Sequence, residues 1–241
     1  MPRNYVSLFG SGGDVLPAAA GGGDPYWANV TFLGIYESGK ADGNTSFDDA
    51  STNNLTIDVN GAAQWDTAQF PSGADASALH GPLNTDFLSV AANAAFGFGT
   101  GDFTIECYAR FDLLDQSSAV FSVGTGTVLE VYSLTDGTLN LWGGSAGDSI
   151  AGSAGDILVD TWYHLAISRA SGNMRLFKDG TQIGSTDANT ADYGASQKFY
   201  MGAENSGTEF LEGWLHSVRV TKGVGRYTSN FTPPTIPLPT S

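Results

Sequence analysis

Cysteine is nearly absent from this 241-residue chain, and basic side chains are scarce. The one cysteine, Cys107, cannot close an internal disulfide, so nothing here calls for an oxidising compartment and stability has to come from buried apolar surface. Ten Lys and Arg against 25 Asp and Glu leave a formal charge of −15, which opposes a phosphate backbone and excludes nucleic acid as the expected partner. No apolar run approaches the roughly 20 residues that span a bilayer, so no membrane insertion is expected. Arg3 offers a positive start, but Gly10, Ser11, Gly12, Gly13 and Asp14 cut the apolar stretch that a secretion signal needs.

The chemistry of common active sites is thin as well. His80, His164 and His216 lie far apart and show no zinc spacing. GSGG, GFGTG and GVG are glycine-rich without a following Walker lysine, and no serine sits in a nucleophile elbow. A retaining glycosidase needs two carboxylates about 5–5.5 Å apart, which alternate residues of one strand can supply. Glu209 and Glu212 are three apart and therefore fall on opposite faces of a regular strand. No catalytic residue is expected, and an enzyme of glycoside hydrolase type ranks third among the functional readings.

What the chain has is glycine (32 residues), aromatic side chains (12%) and period-2 alternation. Many tight turns joining short strands with buried rings predict an all-β fold, a two-sheet antiparallel sandwich. In FTIECYARF, the residues Phe103, Ile105, Cys107, Ala109 and Phe111 share one face, which makes Cys107 a buried, inert thiol. Trp27, Val30, Phe32, Leu33, Ile35 and Tyr36 form a nearly continuous apolar run, the signature of a strand buried on both faces. Leu55, Ile57 and Val59 predict a second strand, and Asp136-Gly137 predicts a hairpin turn between Val128–Tyr132 and Leu139–Trp142. Residues 161–184 read as two linked hairpins turning at Ser171-Gly172-Asn173 and Asp179-Gly180. His216 is expected on one strand face with Trp214, Val218 and Val220.

The end of the chain is the most specific signal. RVTKGVGRYTSNFTPP at 219–234 reads as a closing strand broken by Gly223 and Gly225, then a tail anchored by Tyr227 and Phe231 and stopped by Pro233 and Pro234. With DPYWANV, SFDDAS, FGTGDFTIECYARF and YMGAENSGTEFLEGWLHSVRV in that order, residues 24–234 resemble the laminin G-like, concanavalin A-like jelly-roll domains of tailed-bacteriophage virion proteins. The resemblance implies a jelly roll used for adhesion, glycan contact or particle decoration. Two departures weaken any metal site carried over from it: His216 where relatives often have an acidic residue, and Glu37-Ser38-Gly39 in place of an Asp-Gly turn.

The expected organisation is an extended arm at 1–23, a sandwich at 24–234 and a tail at 235–241. Tyr5, Val6, Leu8 and Phe9 give the arm apolar side chains among flexible glycine runs, suited to docking on other capsid or tail proteins in an oligomeric particle. The preferred reading is a non-enzymatic structural protein of the virion surface, made in the host cytoplasm. Its runner-up is a free calcium-dependent lectin. Trp142 with Asp148 is the candidate for glycan contact, a ring beside a polar loop. No cofactor is firmly implied. Calcium is the one carried, with Asp49 first and Asp48, Asp42 and Asp102 beside it, hard oxygen donors in loops or at strand starts.

Overall fold

The computed structural model describes residues 23–74, 78–80, 85–124, 129–143, 148–205 and 209–240. Tyr5, Val6, Leu8 and Phe9 lie outside them. In chain order the strands are β1 (Val30–Gly34), β2 (Asp58–Asn60), β3 (Gln64–Asp66), β4 (Ala78–His80), β5 (Phe87–Asn93), β6 (Phe103–Phe111), β7 (Ser118–Val123) and β8 (Leu129–Ser133). They continue with β9 (Leu139–Trp142), β10 (Asp148–Ala151), β11 (Trp162–Ala170), β12 (Asn173–Lys178), β13 (Thr181–Ala188), β14 (Gln197–Met201) and β15 (Gly213–Lys222). One antiparallel sheet runs β13-β12-β11-β6-β15-β4-β3, with β1 also on β15; the other runs β10-β9-β8-β7-β14-β5-β2.

Period-2 alternation builds the core between the sheets. Phe103, Ile105, Cys107, Ala109 and Phe111 of β6 all point inward, opposite Leu129 and Val131 of β8, Leu139 and Leu141 of β9, and Phe199 and Met201 of β14. Each such large side chain removed from water contributes about 1.5–3 kcal/mol. Burial, then the Glu106 charge next door, pushes the Cys107 thiol far up, so it stays protonated and unreactive. The 161–184 hairpins form, the first with a turn one residue shorter than read, since Asn173 opens β12. Asp179 (φ 48°) and Gly180 (φ 74°) fill the two left-handed positions of a tight turn between β12 and β13, and Ser171 with Gly172 does so between β11 and β12. Gly180 is constrained twice over, since a Cβ there would sit 1.9 Å from the Phe231 carbonyl oxygen.

Two readings of the sequence are corrected. The strand expected through Leu55–Val59 begins only at Asp58, because the Leu55 amide donates to the Asp49 carboxylate (2.9 Å) instead of to a neighbouring strand. His216 shares Trp214's outward face, whereas Val218 and Val220 are in the core. A β-bulge at Ser217 adds one residue and reverses the alternation. It sits where the edge of β15 passes from β4, paired at Trp214–Leu215, to β1, paired at Val218–Thr221.

Past β15 the chain folds back as a strap over the outer face of its own sheet. The Arg226 amide donates to Thr104 Oγ1 (2.8 Å), and the Tyr227 amide donates to Ser168 Oγ (3.2 Å). The Tyr227 and Phe231 rings stack at 3.6 Å, with Phe231 against Phe177 and His164. The Tyr108 hydroxyl donates to the Pro234 carbonyl, and the Tyr36 hydroxyl to that of Leu238 (2.9 Å). Leu238 closes a small apolar cluster with Val30 and Leu33, so β1 is buried on both faces, as its composition predicts.

Candidate functional site

Beneath the strap lies the densest set of charges. Glu106 of β6 accepts from Arg219 Nε (2.9 Å), from His164 Nε2 (3.0 Å) and from the Tyr227 hydroxyl (2.7 Å). Asp24 accepts from Arg219 Nη1 (3.1 Å) and from both terminal nitrogens of Arg226 (2.9 and 2.6 Å). Burial alone would raise the Glu106 pKa, but Arg219, then His164 and Arg226, hold it well below the usual carboxylate range. Burial first, then Glu106, keeps the Tyr227 phenol protonated. These groups pair with one another, His164 Nδ1 excepted, and are largely buried. Their arrangement ties Asp24 at the sandwich entrance to β6, β15 and the strap.

The opposite outer face is built differently. On β8 and β9 the core residues Leu129, Val131, Leu139 and Leu141 alternate with Glu130, Tyr132, Asn140 and Trp142, which therefore share the other face of the seven-stranded sheet. Register places Glu130 opposite Trp142 and Tyr132 opposite Asn140. Trp142 and Tyr132 are partly exposed, while Asn140 is 2% exposed and its Oδ1 has no hydrogen-bond partner. A buried amide oxygen left this way costs about 1–3 kcal/mol unless a ligand or water answers it. Farther along the face, Ser122 Oγ donates to the Ala203 carbonyl (3.0 Å), Phe87 lies 6.1 Å from Tyr200, and Lys198 sits over the Tyr200 ring. Two rings beside a carboxylate and an amide can cover the C–H faces of a sugar while bonding its hydroxyls.

Of the residues singled out from sequence, Trp142 is on this face, and β10 pairs Asp148 directly with it. Asp49 is given to local structure: its carboxylate accepts from the amides of Leu33, Ser51 and Leu55 and from Ser51 Oγ, each at 2.9 Å. Asp48 lies 3.6 Å from Lys40, Asp102 accepts from the Ser171 amide (2.9 Å), and Asp42 is in an exposed turn. The four are not brought together around one centre. Among the described residues no group of three or more His, Cys, Asp or Glu is placed to hold a metal ion. Glu209 and Glu212 flank the buried Phe210 and Leu211; burial raises both carboxyls, helped by Glu204 at the first and by Asp115 and Asp112 at the second.

Sequence reading missed Glu130, Tyr132 and Asn140, although their alternation with core residues marks them. It also missed Arg169, whose fully buried guanidinium donates to the carbonyls of Gly99 (2.7 Å), Gly101 and Ala191 (2.7 Å) and lies against the Phe103 and Tyr193 rings. An arginine inside a sandwich is tolerable only with such a set of acceptors, and here it locks two loops together. Nothing local in the sequence signals it.

Comparison with known proteins agrees with this architecture. No curated protein matches the chain in sequence. Among solved structures, domain 4 of AbnA, a GH43 extracellular arabinanase from Geobacillus stearothermophilus in complex with arabinotriose, superposes with a TM-score of 0.59 at 18% identity, over 81% of this chain and 93% of that one. Botulinum neurotoxin type C, whose cell entry depends on two ganglioside molecules, gives 0.60 at 11% identity over 83% of this chain. The chain spans about half the length of the botulinum neurotoxin structures it matches (50%). A Trypanosoma rangeli sialidase gives 0.54 at 14% identity, over 83% of this chain and 31% of that one. The family model of the concanavalin A-like lectin/glucanases superfamily, laminin G type, matches residues 83–224. On that match and on its two-sheet jelly roll, the chain belongs to the concanavalin A-like lectin/glucanases superfamily.

Proposed function

We propose that the chain is a non-enzymatic structural protein of a tailed-bacteriophage virion, decorating the capsid or tail and contacting glycans through the outer face of its seven-stranded sheet. One observation carries the glycan reading: a partly exposed indole, Trp142, beside the buried and unanswered Oδ1 of Asn140. The arabinotriose of the arabinanase domain and the gangliosides of the neurotoxin support the same ligand class. The virion reading rests on the resemblance of the RVTKGVGRYTSNFTPP ending to phage-associated relatives, and the charge of −15 suits a soluble surface component. The docking reading of residues 1–23 rests on the apolar Tyr5, Val6, Leu8 and Phe9 among glycine runs.

Two experiments test the two halves. Titration with arabino-oligosaccharides, ganglioside headgroups and bacterial surface polysaccharides should show binding that Trp142→Ala abolishes; no binding by any of them removes the glycan reading. Deleting residues 1–23 should leave a folded sandwich absent from assembled particles. Normal occupancy by the truncated protein contradicts docking through the arm.

A further inference from the structure

A cavity of about 420 Å³ lies under the far end of the strap, on the sheet opposite Trp142, lined by Tyr36, Glu37, Ser38, His216, Ile236 and Pro237. Its size falls in the lower part of the range for small-molecule sites. Two walls are apolar, the Tyr36 ring and the Ile236-Pro237 turn. The Tyr36 hydroxyl is committed to the Leu238 carbonyl (2.9 Å), which fixes the ring in place. Glu37, Ser38 and His216 supply the polar lining.

The backbone around this cavity is specialised. The Ser217 bulge turns His216 outward, and His216 Nδ1 is held by Ser217 Oγ at 2.7 Å. Ser217 and Ile35 both have φ of 52° and are bonded to each other, the Ser217 amide donating to the Ile35 carbonyl (2.7 Å). A left-handed β-branched residue is a true outlier, and such outliers collect at functional sites. On the far wall Gly73 (φ 93°) lets its loop meet the strap, since a Cβ there would lie 2.8 Å from the Ile236 carbonyl oxygen. The bulge and the close glycine contact are independent features that shape the same space.

Charge selects the ligand. Glu37 is paired with Lys40 at 2.9 Å, and Lys40 also faces Asp48 at 3.6 Å, so the carboxylate is already partly neutralised. Burial, then the neighbouring Asp48, raises the Glu37 pKa, which further disfavours a bare cation as occupant. A neutral ring with apolar C–H faces and a rim of hydroxyls matches these walls. We infer that this cavity is a second carbohydrate subsite, sized for one neutral sugar residue and independent of the Trp142 face.

The imidazole resonances of the three histidines give a direct reading. In the full chain, titration with free glucose, galactose, mannose and N-acetylglucosamine should shift the His216 ring signals saturably for at least one of them. Glu37→Gln should weaken that response about tenfold. Ala74 also lines the cavity, so Ala74→Phe, which fills it, should abolish the response, and Trp142→Ala should leave it unchanged. No His216 shift with any of these sugars overturns the inference, as does a shift that survives Ala74→Phe or vanishes in Trp142→Ala. The Trp142 reading is judged separately, by oligosaccharide binding in Ala74→Phe.

Discussion

The two outer faces of this sandwich are made by the same alternation and put to opposite uses. On the eight-stranded sheet the outward residues are Glu106, His164, Arg219 and their neighbours, and the chain covers them with its own C-terminal strap. On the seven-stranded sheet the outward residues of β8 and β9 are two partly exposed rings, Tyr132 and Trp142, with a buried carboxylate and a buried amide, Glu130 and Asn140. Each face leaves buried polar atoms unanswered, His164 Nδ1 and Trp162 Nε1 on the strapped face and Asn140 Oδ1 on the other, at a cost in stability; beside Asn140 two partly exposed rings, Tyr132 and Trp142, give a ligand a place to recover it.

Breaking the strapped face should have the largest effect. Arg219→Met leaves Glu106 and Asp24 buried with too few partners, and loss of one partner from such a network costs about 3–5 kcal/mol. Urea unfolding should report that loss, while oligosaccharide binding by the folded fraction stays intact. A cost under about 1 kcal/mol would mean that the strap is decoration. The pH dependence has a definite sign. Glu106 has its pKa depressed by folding, so its contribution is complete above the ordinary glutamate value near 4.3 and declines as pH falls below it. The stability gap between the native chain and Glu106→Gln should therefore narrow as pH falls below about 5. A gap that widens there contradicts the assignment.

The open face should respond in the reverse sense. Asn140→Leu removes the unanswered amide and should stabilise the chain by up to about 1 kcal/mol while weakening oligosaccharide binding. If Asn140→Leu instead destabilises the protein and spares binding, Asn140 belongs to the fold and not to the site. The smallest effect is expected from chelation. Asp49 spends its carboxylate on four protein donors, so EDTA should shift the melting temperature by less than about 1 °C, within the range of an insignificant free-energy change.

The difference between the faces also explains which parts were readable in sequence. The core face of β6 was legible residue by residue, because Phe103 to Phe111 alternate without interruption. The tight turn at Asp179-Gly180 was equally plain, while the turn read at Ser171-Gly172-Asn173 is only Ser171-Gly172, with Asn173 already in β12. Asp136-Gly137 was harder. It is not a two-residue turn but the end of a three-residue loop, 135–137, with Leu134 bonded across to Thr138 and Gly137 at φ 78°. A one-residue slip there would set Trp142 against the inward Val131 in place of Glu130, and so hide the site. The Ser217 bulge has the same effect on β15, turning His216 away from Val218. An extra residue in a ladder changes which side chains share a face, and both candidate sites sit beside one, the bulge at Ser217 and the irregularity between Asp148 and Ile150 on the strand paired with Trp142. Arg169 was invisible for another reason, because its partners are backbone carbonyls that any sequence supplies.

The five tryptophans sample both faces and the core, with Trp142 on the seven-stranded face, Trp214 and Trp162 on the other sheet, Trp27 packed against Val30 and Leu33, and Trp65 fully buried. Fluorine NMR of the 5-fluorotryptophan-labelled chain, titrated with an oligosaccharide that binds, thus reads the site in one spectrum. The account predicts that the Trp142 signal moves with saturation while those of Trp65, Trp162 and Trp214 hold still. Movement of Trp162 or Trp214 with a stationary Trp142 would contradict it.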